Sequence, residues 1–130
     1  MRRRRRHRWI AMLLALSGCE RGEVAVPPDF DTPQARARGR VLFLEHCAIC
    51  HGENADGQGP RRPSLTPPPA NFRDPSWHVR TSPARTWQIV RDGEPGTPMP
   101  SWKPVLSPSE TWDVVAYLHS VAGEPRGPGT

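Results

Sequence analysis

Two cysteines and a histidine stand close together in the segment Cys47-Ala48-Ile49-Cys50-His51. On a helical turn, positions i and i+3 face the same way, so both thiols can bond to one flat group while the imidazole lies against its centre. This spacing is the attachment signature of c-type haem. We therefore predict thioether bonds from Cys47 and Cys50 to a single haem, with His51 as an iron ligand.

Three other uses of a cysteine pair fit this sequence less well. A zinc site needs four ligands, usually from two such pairs, and the chain has no second pair. A thioredoxin-like redox site needs a surrounding βαβ pattern, which is missing. A disulfide across two intervening residues would constrain very little chain. Haem attachment is therefore the favoured interpretation.

The second iron ligand is predicted to be Met99, which lies between Pro98 and Pro100 and 48 residues after His51. No other methionine follows Met12. A loop stiffened by two prolines can hold a thioether in one place, and methionine opposite histidine raises the reduction potential, which suits electron transfer. The alternative is that Met99 only fills a gap in the core.

Three further histidines compete with Met99 for the iron. His46 adjoins the first cysteine and is expected to point elsewhere on the same turn. His119 lies near the end of the last predicted helix, where an imidazole can satisfy terminal carbonyls. His78, in a predicted loop, is the most credible rival.

Three helix starts can be recognised, each a capping residue followed by proline: Thr32-Pro33, Ser82-Pro83 and Ser107-Pro108. The first helix should run into the cysteine motif and stop near Gly52, and the second should end near Arg91. Residues 52–81 show almost no periodicity and are expected to wrap a haem edge. The predicted fold class is all-α, with about three helices and long loops around one haem.

The composition also favours a bound cofactor. All 17 prolines and ten of the eleven glycines lie beyond residue 18. Such a chain forms few regular elements, and these would bury too little apolar surface to offset the entropy of the chain. A large, flat, apolar group would supply the missing core.

Residues 1–18 have the layout of an export signal, with a basic head, an apolar run from Trp9 to Leu16 and a small-residue cleavage site. The apolar run is far shorter than the roughly 20 residues that span a bilayer. Leu16-Ser17-Gly18-Cys19 resembles the lipobox of bacterial lipoproteins, which implies a lipid on Cys19. The alternative is an ordinary signal peptide with Cys19 as an incidental residue.

The expected organisation beyond the signal is a lipid-anchored linker at 19–31, a haem domain at 32–123 and a disordered tail at 124–130. Six of the 18 Lys and Arg residues belong to the signal, whereas all 13 Asp and Glu residues lie beyond it. The remaining chain therefore carries a net charge of −1, and nothing supports nucleic-acid binding.

Residues 34–121 resemble a class I c-type cytochrome, with the cysteine motif near the first helix and Met99-Pro100 downstream. Gly39 and Phe43 look like the glycine-x-x-x-aromatic element of that family, and Trp112 and Tyr117 look like the aromatic pair of its last helix. The resemblance implies that these two helices cross closely, the glycine letting Tyr117 or Trp112 approach.

The resemblance also implies that a proline carbonyl accepts the free ring N–H of His51, which would fix the tautomer of this ligand. Pro60, Pro63 and Pro67 are all candidates. The indole N–H of Trp102 is expected either to contact a haem propionate or to serve in plain packing.

The expected function is one-electron transfer by one covalent haem c, not enzymatic catalysis. The protein would be exported to the periplasmic side of the inner or outer membrane and anchored there by a lipid on Cys19. Its partners would be redox proteins, themselves membrane-bound. One alternative is a haem c subunit fixed within a membrane oxidase or reductase complex. A less favoured alternative is a haem enzyme or sensor with an open iron site.

Overall fold

The structure is a computed structural model that describes residue 22 and residues 24–122. The predicted export signal, Cys19 and the predicted tail at 124–130 therefore lie outside the described residues. Within that part, the chain forms no β-strand and five α-helices: α1 (Pro33–His46), α2 (Ala48–His51), α3 (Pro75–Arg80), α4 (Pro83–Asp92) and α5 (Pro108–Ser120). The predicted all-α class is confirmed. None of these helices is long and apolar enough to cross a membrane.

The three predicted helix starts are all present. At each of them a side-chain hydroxyl accepts the backbone N–H three residues further on, at 3.1–3.2 Å, with proline in the first turn: Thr32, Ser82 and Ser107. At α5 the Glu110 carboxylate also accepts the N–H of Ser107 at 2.8 Å, which completes a capping box. These caps satisfy N–H groups that have no partner within the helix.

The segment 52–81 is more ordered than its sequence indicated. It contains the six-residue helix α3 and a 3-10 turn at Arg62–Ser64. Helix α3 starts with the same signal as the others, since the Asp74 carboxylate accepts the N–H of Ser76 at 2.9 Å and Pro75 opens the helix. Six residues are too few for a periodic apolar pattern to be recognised, and the prediction of one long loop was wrong here.

Helices α1 and α5 cross closely at Gly39, as the resemblance implied. The group that approaches the glycine is the backbone of Asp113, however, and not the ring of Tyr117 or Trp112. The Tyr117 ring lies one turn further along, 5.2 Å from the ring of the fully buried Phe43. The crossing thus fixes the end of α1 from which the cysteine motif follows.

The core lies between α1, α4 and α5, and Cys47 and Ala48 join it to α2. Its buried side chains include Phe43, Phe72, Val90, Leu106, Val114 and Leu118. Partly buried Met99 and Trp102 pack against this cluster. The cysteine motif and Met99, which are the two parts of the predicted site, are therefore both packed on the same core.

Candidate functional site

A cavity of about 480 Å³ opens beside this core. This volume falls within the range of roughly 300–1,000 Å³ that is usual for pockets binding small molecules and cofactors. All four predicted site residues line it, namely Cys47, Cys50, His51 and Met99, and Trp102 lines it as well. The fold thus brings residues that are about 50 positions apart in sequence to a single cavity.

The cysteine motif is held in a tight turn between α1 and α2. The N–H of Cys47 donates to the carbonyl of Phe43 at 2.8 Å, which ends α1. The carbonyl of Cys47 then accepts the N–H groups of Cys50 at 3.1 Å and His51 at 2.9 Å. These backbone hydrogen bonds fix the spacing of the two thiols and the imidazole without any contribution from a cofactor.

A loop that the sequence interpretation missed supports this turn from outside. The N–H of Gly59 donates to the carbonyl of Cys50 at 3.1 Å, and the N–H of Arg61 donates to that of Ile49 at 2.9 Å. A Cβ atom on Gly59 would lie 2.4 Å from the carbonyl carbon of Cys50, so only glycine allows this approach. Gly59 was therefore a recognisable signal for close backbone contact.

The surroundings of Cys47 bear on the possible uses of the cysteine pair. Burial raises the pKa of the Cys47 thiol to about 12, and the neighbouring Cys50 adds to this shift. A redox nucleophile acts as a thiolate, and burial disfavours that charged form of Cys47. Among the described residues, no group of three or more His, Cys, Asp or Glu side chains could hold a metal ion, so a zinc site with four protein ligands is not formed there. A thioether sulfur, in contrast, carries no proton to lose.

The ring of His51 is oriented by the carbonyl of Ala70, which lies 3.2 Å from Nδ1. The prediction that Pro60, Pro63 or Pro67 would supply this carbonyl was wrong. Burial lowers the pKa of His51, and the hydrogen bond to Ala70 opposes this shift. The imidazole is therefore neutral, and with its proton on Nδ1 the lone pair of Nε2 is available to a metal.

Met99 is presented by a loop that has internal bonds as well as its two prolines. The hydroxyl of Thr97 donates to the carbonyl of Glu94 at 2.7 Å and accepts the N–H of Met99 at 3.2 Å. Glu94 in turn pairs with Arg85 on α4 at 2.8 Å. The position of the thioether is thus tied to α4 and does not depend on Pro98 and Pro100 alone.

An unpaired indole provides a direct test of whether haem fits the cavity. Trp102 Nε1 and Arg91 Nε are the buried side-chain nitrogens in the described part of the chain that have no hydrogen-bond partner. Trp102 lines the cavity, and a buried donor without an acceptor is costly. A haem propionate would satisfy it. Two thiols, an imidazole, a thioether and a largely apolar wall complete a set of groups that fits haem.

The competing histidines are distributed differently from the prediction. His46 does line the cavity, with its ring centroid 5.7 Å from that of Trp102, although we expected it to point elsewhere. His78 and His119 do not line it. The Nε2 atom of His78 bonds to the carbonyl of Phe72 at 2.7 Å, and that of His119 bonds to the hydroxyl of Thr86 at 2.9 Å. His119 therefore does not serve as a cap for α5.

The sequence of residues 34–118 matches a family model described as cytochrome c oxidase, cbb3-type, subunit III. No protein among the curated sequences matches the chain. The matched residues include the cysteine motif, Met99 and Trp102.

Several solved structures are similar to this one. A chain of the reducing HAO-like protein complex of Kuenenia stuttgartiensis is 27% identical, with a TM-score of 0.65, over 71% of this chain and 46% of that chain. This chain thus spans less than half the length of that protein. The c-type cytochrome KustC0563 is 27% identical, with a TM-score of 0.54, over 65% of this chain and 96% of its own. Cytochrome cL of Methylophaga aminisulfidivorans shares the fold, with 20% identity and a TM-score of 0.58, over 84% and 74% of the two chains.

Proposed function

Because the chain belongs to the family described as cytochrome c oxidase, cbb3-type, subunit III, we propose that it transfers single electrons through a haem held by Cys47, Cys50, His51 and Met99. Its family and the c-type cytochromes among its structural neighbours support a covalently bound haem c. The haem supplies an iron that changes reversibly between two oxidation states. The residues of this chain bind that group, orient it and keep water from it.

Each residue of the site has a distinct part. The thiols of Cys47 and Cys50 would form the two thioether bonds to the haem. His51, with its Nδ1 proton directed at Ala70, would offer Nε2 as one iron ligand, and the sulfur of Met99 would supply the second. With two ligands supplied by the protein, the iron would have no open place for a substrate, and the site would suit electron transfer.

The observation that carries this proposal is the convergence of the cysteine motif and Met99 on one cavity that also contains the unpaired N–H of Trp102. A methionine that merely fills a gap in the core would not be expected to line the same cavity as the cysteine motif. A buried indole N–H is also costly without a hydrogen-bond partner, and a bound ligand would supply the missing acceptor.

The test is the intact mass and visible spectrum of the chain produced in a host that assembles c-type cytochromes. We expect the mass of one haem to remain on the denatured polypeptide. Cys50→Ala should leave a single thioether, which shifts the spectrum of the haem in alkaline pyridine. Ile49→Ala, at an exposed position in the same motif, is the matched control and should behave like the native chain. A colourless, compactly folded native chain would remove the basis of the proposal.

The proposed location is the periplasmic side of the inner or outer membrane, with a lipid on Cys19 as the anchor. A membrane tether raises the effective concentration of the domain near membrane-bound redox partners. The exposed Ile49 and Arg61 at the cavity would meet such partners in small, brief contacts.

A second candidate function is that of a subunit fixed within a larger redox complex. The description of the family as an oxidase subunit favours it, as does the similarity to one chain of a protein complex. Purification in mild detergent distinguishes the two. A fixed subunit would elute with membrane proteins in constant proportion, whereas a free carrier would elute by itself.

A further inference from the structure

The sequence predicted a linker at 19–31, but the part of it at residues 24–31 is packed against the domain and is not a free tether. The Phe30 ring lies 5.4 Å from the ring of Trp112 on α5, and the N–H of Phe30 donates to the carbonyl of Pro27 at 3.2 Å. The carboxylate of Asp31 receives two hydrogen bonds from Arg36, at 2.6 and 2.9 Å. The end of this segment is therefore fixed against both α1 and α5.

The same segment also meets the start of α4. Residues 24–26 line a shallow groove together with Ser82, Pro83 and Ala84, which cap and open that helix. Val24 is half-buried, whereas Val26 is 42% exposed. The chain thus leaves the domain at one defined place, and we call residues 24–26 and 82–84 the anchor face.

A lipid on Cys19 could reach only a short way from this place. Cys19 lies five residues before Val24, and five fully extended residues span at most about 18 Å. A domain of about 100 residues has a radius of gyration of roughly 13 Å and is therefore over 30 Å across. The tether is thus shorter than the domain is wide, and it cannot let every face of the domain approach the membrane equally.

We propose that the anchor face is the surface of the domain that lies against the lipid headgroups. This inference depends on the lipid anchor proposed above. All six residues of the face are uncharged, and the next cation, Arg85, is already paired with Glu94. Little free energy is therefore lost when this face approaches a bilayer. The face shares no residue with the haem cavity, so Ile49 and Arg61 stay available to a redox partner.

The test compares the protection of single cysteines by a membrane. In the lipidated holo-protein the other cysteines are in covalent bonds, so one introduced thiol can be followed with a bulky maleimide that does not enter membranes. Ala84→Cys reports on the anchor face from α4, away from the tether itself. Val41→Cys and Val105→Cys, which are 61% and 52% exposed on other surfaces, are the matched controls. Each rate is measured on phosphatidylethanolamine–phosphatidylglycerol vesicles and on the Cys19→Ser chain in solution.

We expect vesicle binding to slow the reaction at Ala84→Cys several-fold and that at the two controls less than twofold. Phe30→Ala should free the segment and abolish the difference, while the visible spectrum stays unchanged because Phe30 does not line the cavity. If vesicle binding slowed the maleimide reaction equally at all three introduced cysteines, the proposed anchor face would be wrong. The proposals of a lipid anchor and of haem function would not be affected. A native chain that does not bind vesicles would overturn both the anchor and the face, but not the haem.

Discussion

The backbone of Gly39 lies so close to that of Asp113 that a Cβ atom on the glycine would be 1.9 Å from the Asp113 carbonyl oxygen. This contact is the point where α1 and α5 cross. The guanidinium of Arg38 donates to the carboxylate of the same Asp113 at 2.7 and 2.8 Å. Phe43 on α1 and Cys47 at the C-terminal cap of α1 follow Gly39 at intervals of four residues, so the crossing helps to determine where the first cysteine of the motif lies.

Gly39→Ala should destabilise the protein strongly. Alanine gains about 1 kcal/mol of helix propensity over glycine, but the helices must separate, and overpacking costs about 1–3 kcal/mol or more. Because the obstruction is backbone and not a flexible side chain, we expect the steric cost to exceed the gain and the net loss to reach about 2 kcal/mol.

Denaturant unfolding of the holo-protein measures this loss. Arg40→Ala, at an exposed position next to Gly39, is the control and should change the free energy of unfolding by less than about 0.5 kcal/mol. A Gly39→Ala chain as stable as the control would mean that the crossing is looser than described.

Trp102→Phe should alter the haem without altering the fold. Phenylalanine keeps the aromatic packing against His46 but removes the N–H that has no partner within the described part of the chain. A propionate that loses this donor carries less stabilised negative charge near the iron. We therefore expect the midpoint potential to fall by some tens of millivolts, measured by redox titration. An unchanged potential would assign Trp102 to packing alone.

Stability should depend on pH through His119. Burial lowers the pKa of His119 to about 4, and the charge of His78 contributes to the shift while Asp31 opposes it. The unfolded chain therefore binds more protons than the folded chain between pH 4 and the ordinary pKa of about 6.5. The stabilisation is complete above pH 6.5 and is lost as the pH falls to 4.

We expect an effect on the order of 1 kcal/mol, because solvent screens a half-buried group. His119→Gln keeps a donor for Thr86 and should remove this part of the pH dependence of unfolding. His78→Gln should reduce it only in part, since burial is the larger cause. A His119→Gln chain with the native pH profile would exclude this histidine as the source.

Cys19→Ser should release a soluble protein that still contains haem. The substitution removes the proposed site of lipid attachment and changes none of the residues that line the cavity. Fractionation of cells producing both chains, followed by visible spectra of the fractions, checks this. Continued membrane retention of the Cys19→Ser chain would argue against the lipid anchor.

The sequence predicted the site better than its surroundings. The cysteine motif and the single downstream methionine carry their chemistry in residue type and spacing, and the fold places them on one cavity. The helix caps at Thr32, Ser82 and Ser107 were equally local signals, since a hydroxyl and the following proline act within one turn.

Contacts between distant segments could not be predicted in this way. The carbonyl that orients His51 belongs to Ala70, and any residue type can supply a carbonyl, so a search among prolines had no physical support in the sequence. The packing of Phe30 against Trp112 likewise depends on the rotation of α5 about its own axis. The composition of the segment before α1 does not indicate this rotation. Helix α3 was missed for a different reason. Its capping residue, Asp74, is present in the sequence, but its six residues are too few to show a helical period of apolar residues.

The near-infrared absorption of the oxidised protein tests the central claim most directly, because a ferric iron–thioether bond gives a weak band there. The native protein and the His46→Gln and His78→Ala chains should all show this band, because the proposed second iron ligand is Met99 and not a histidine. Met99→Ala should lack it and have a lower midpoint potential. A native protein without the band, or a Met99→Ala chain that keeps it, would contradict the proposed ligation.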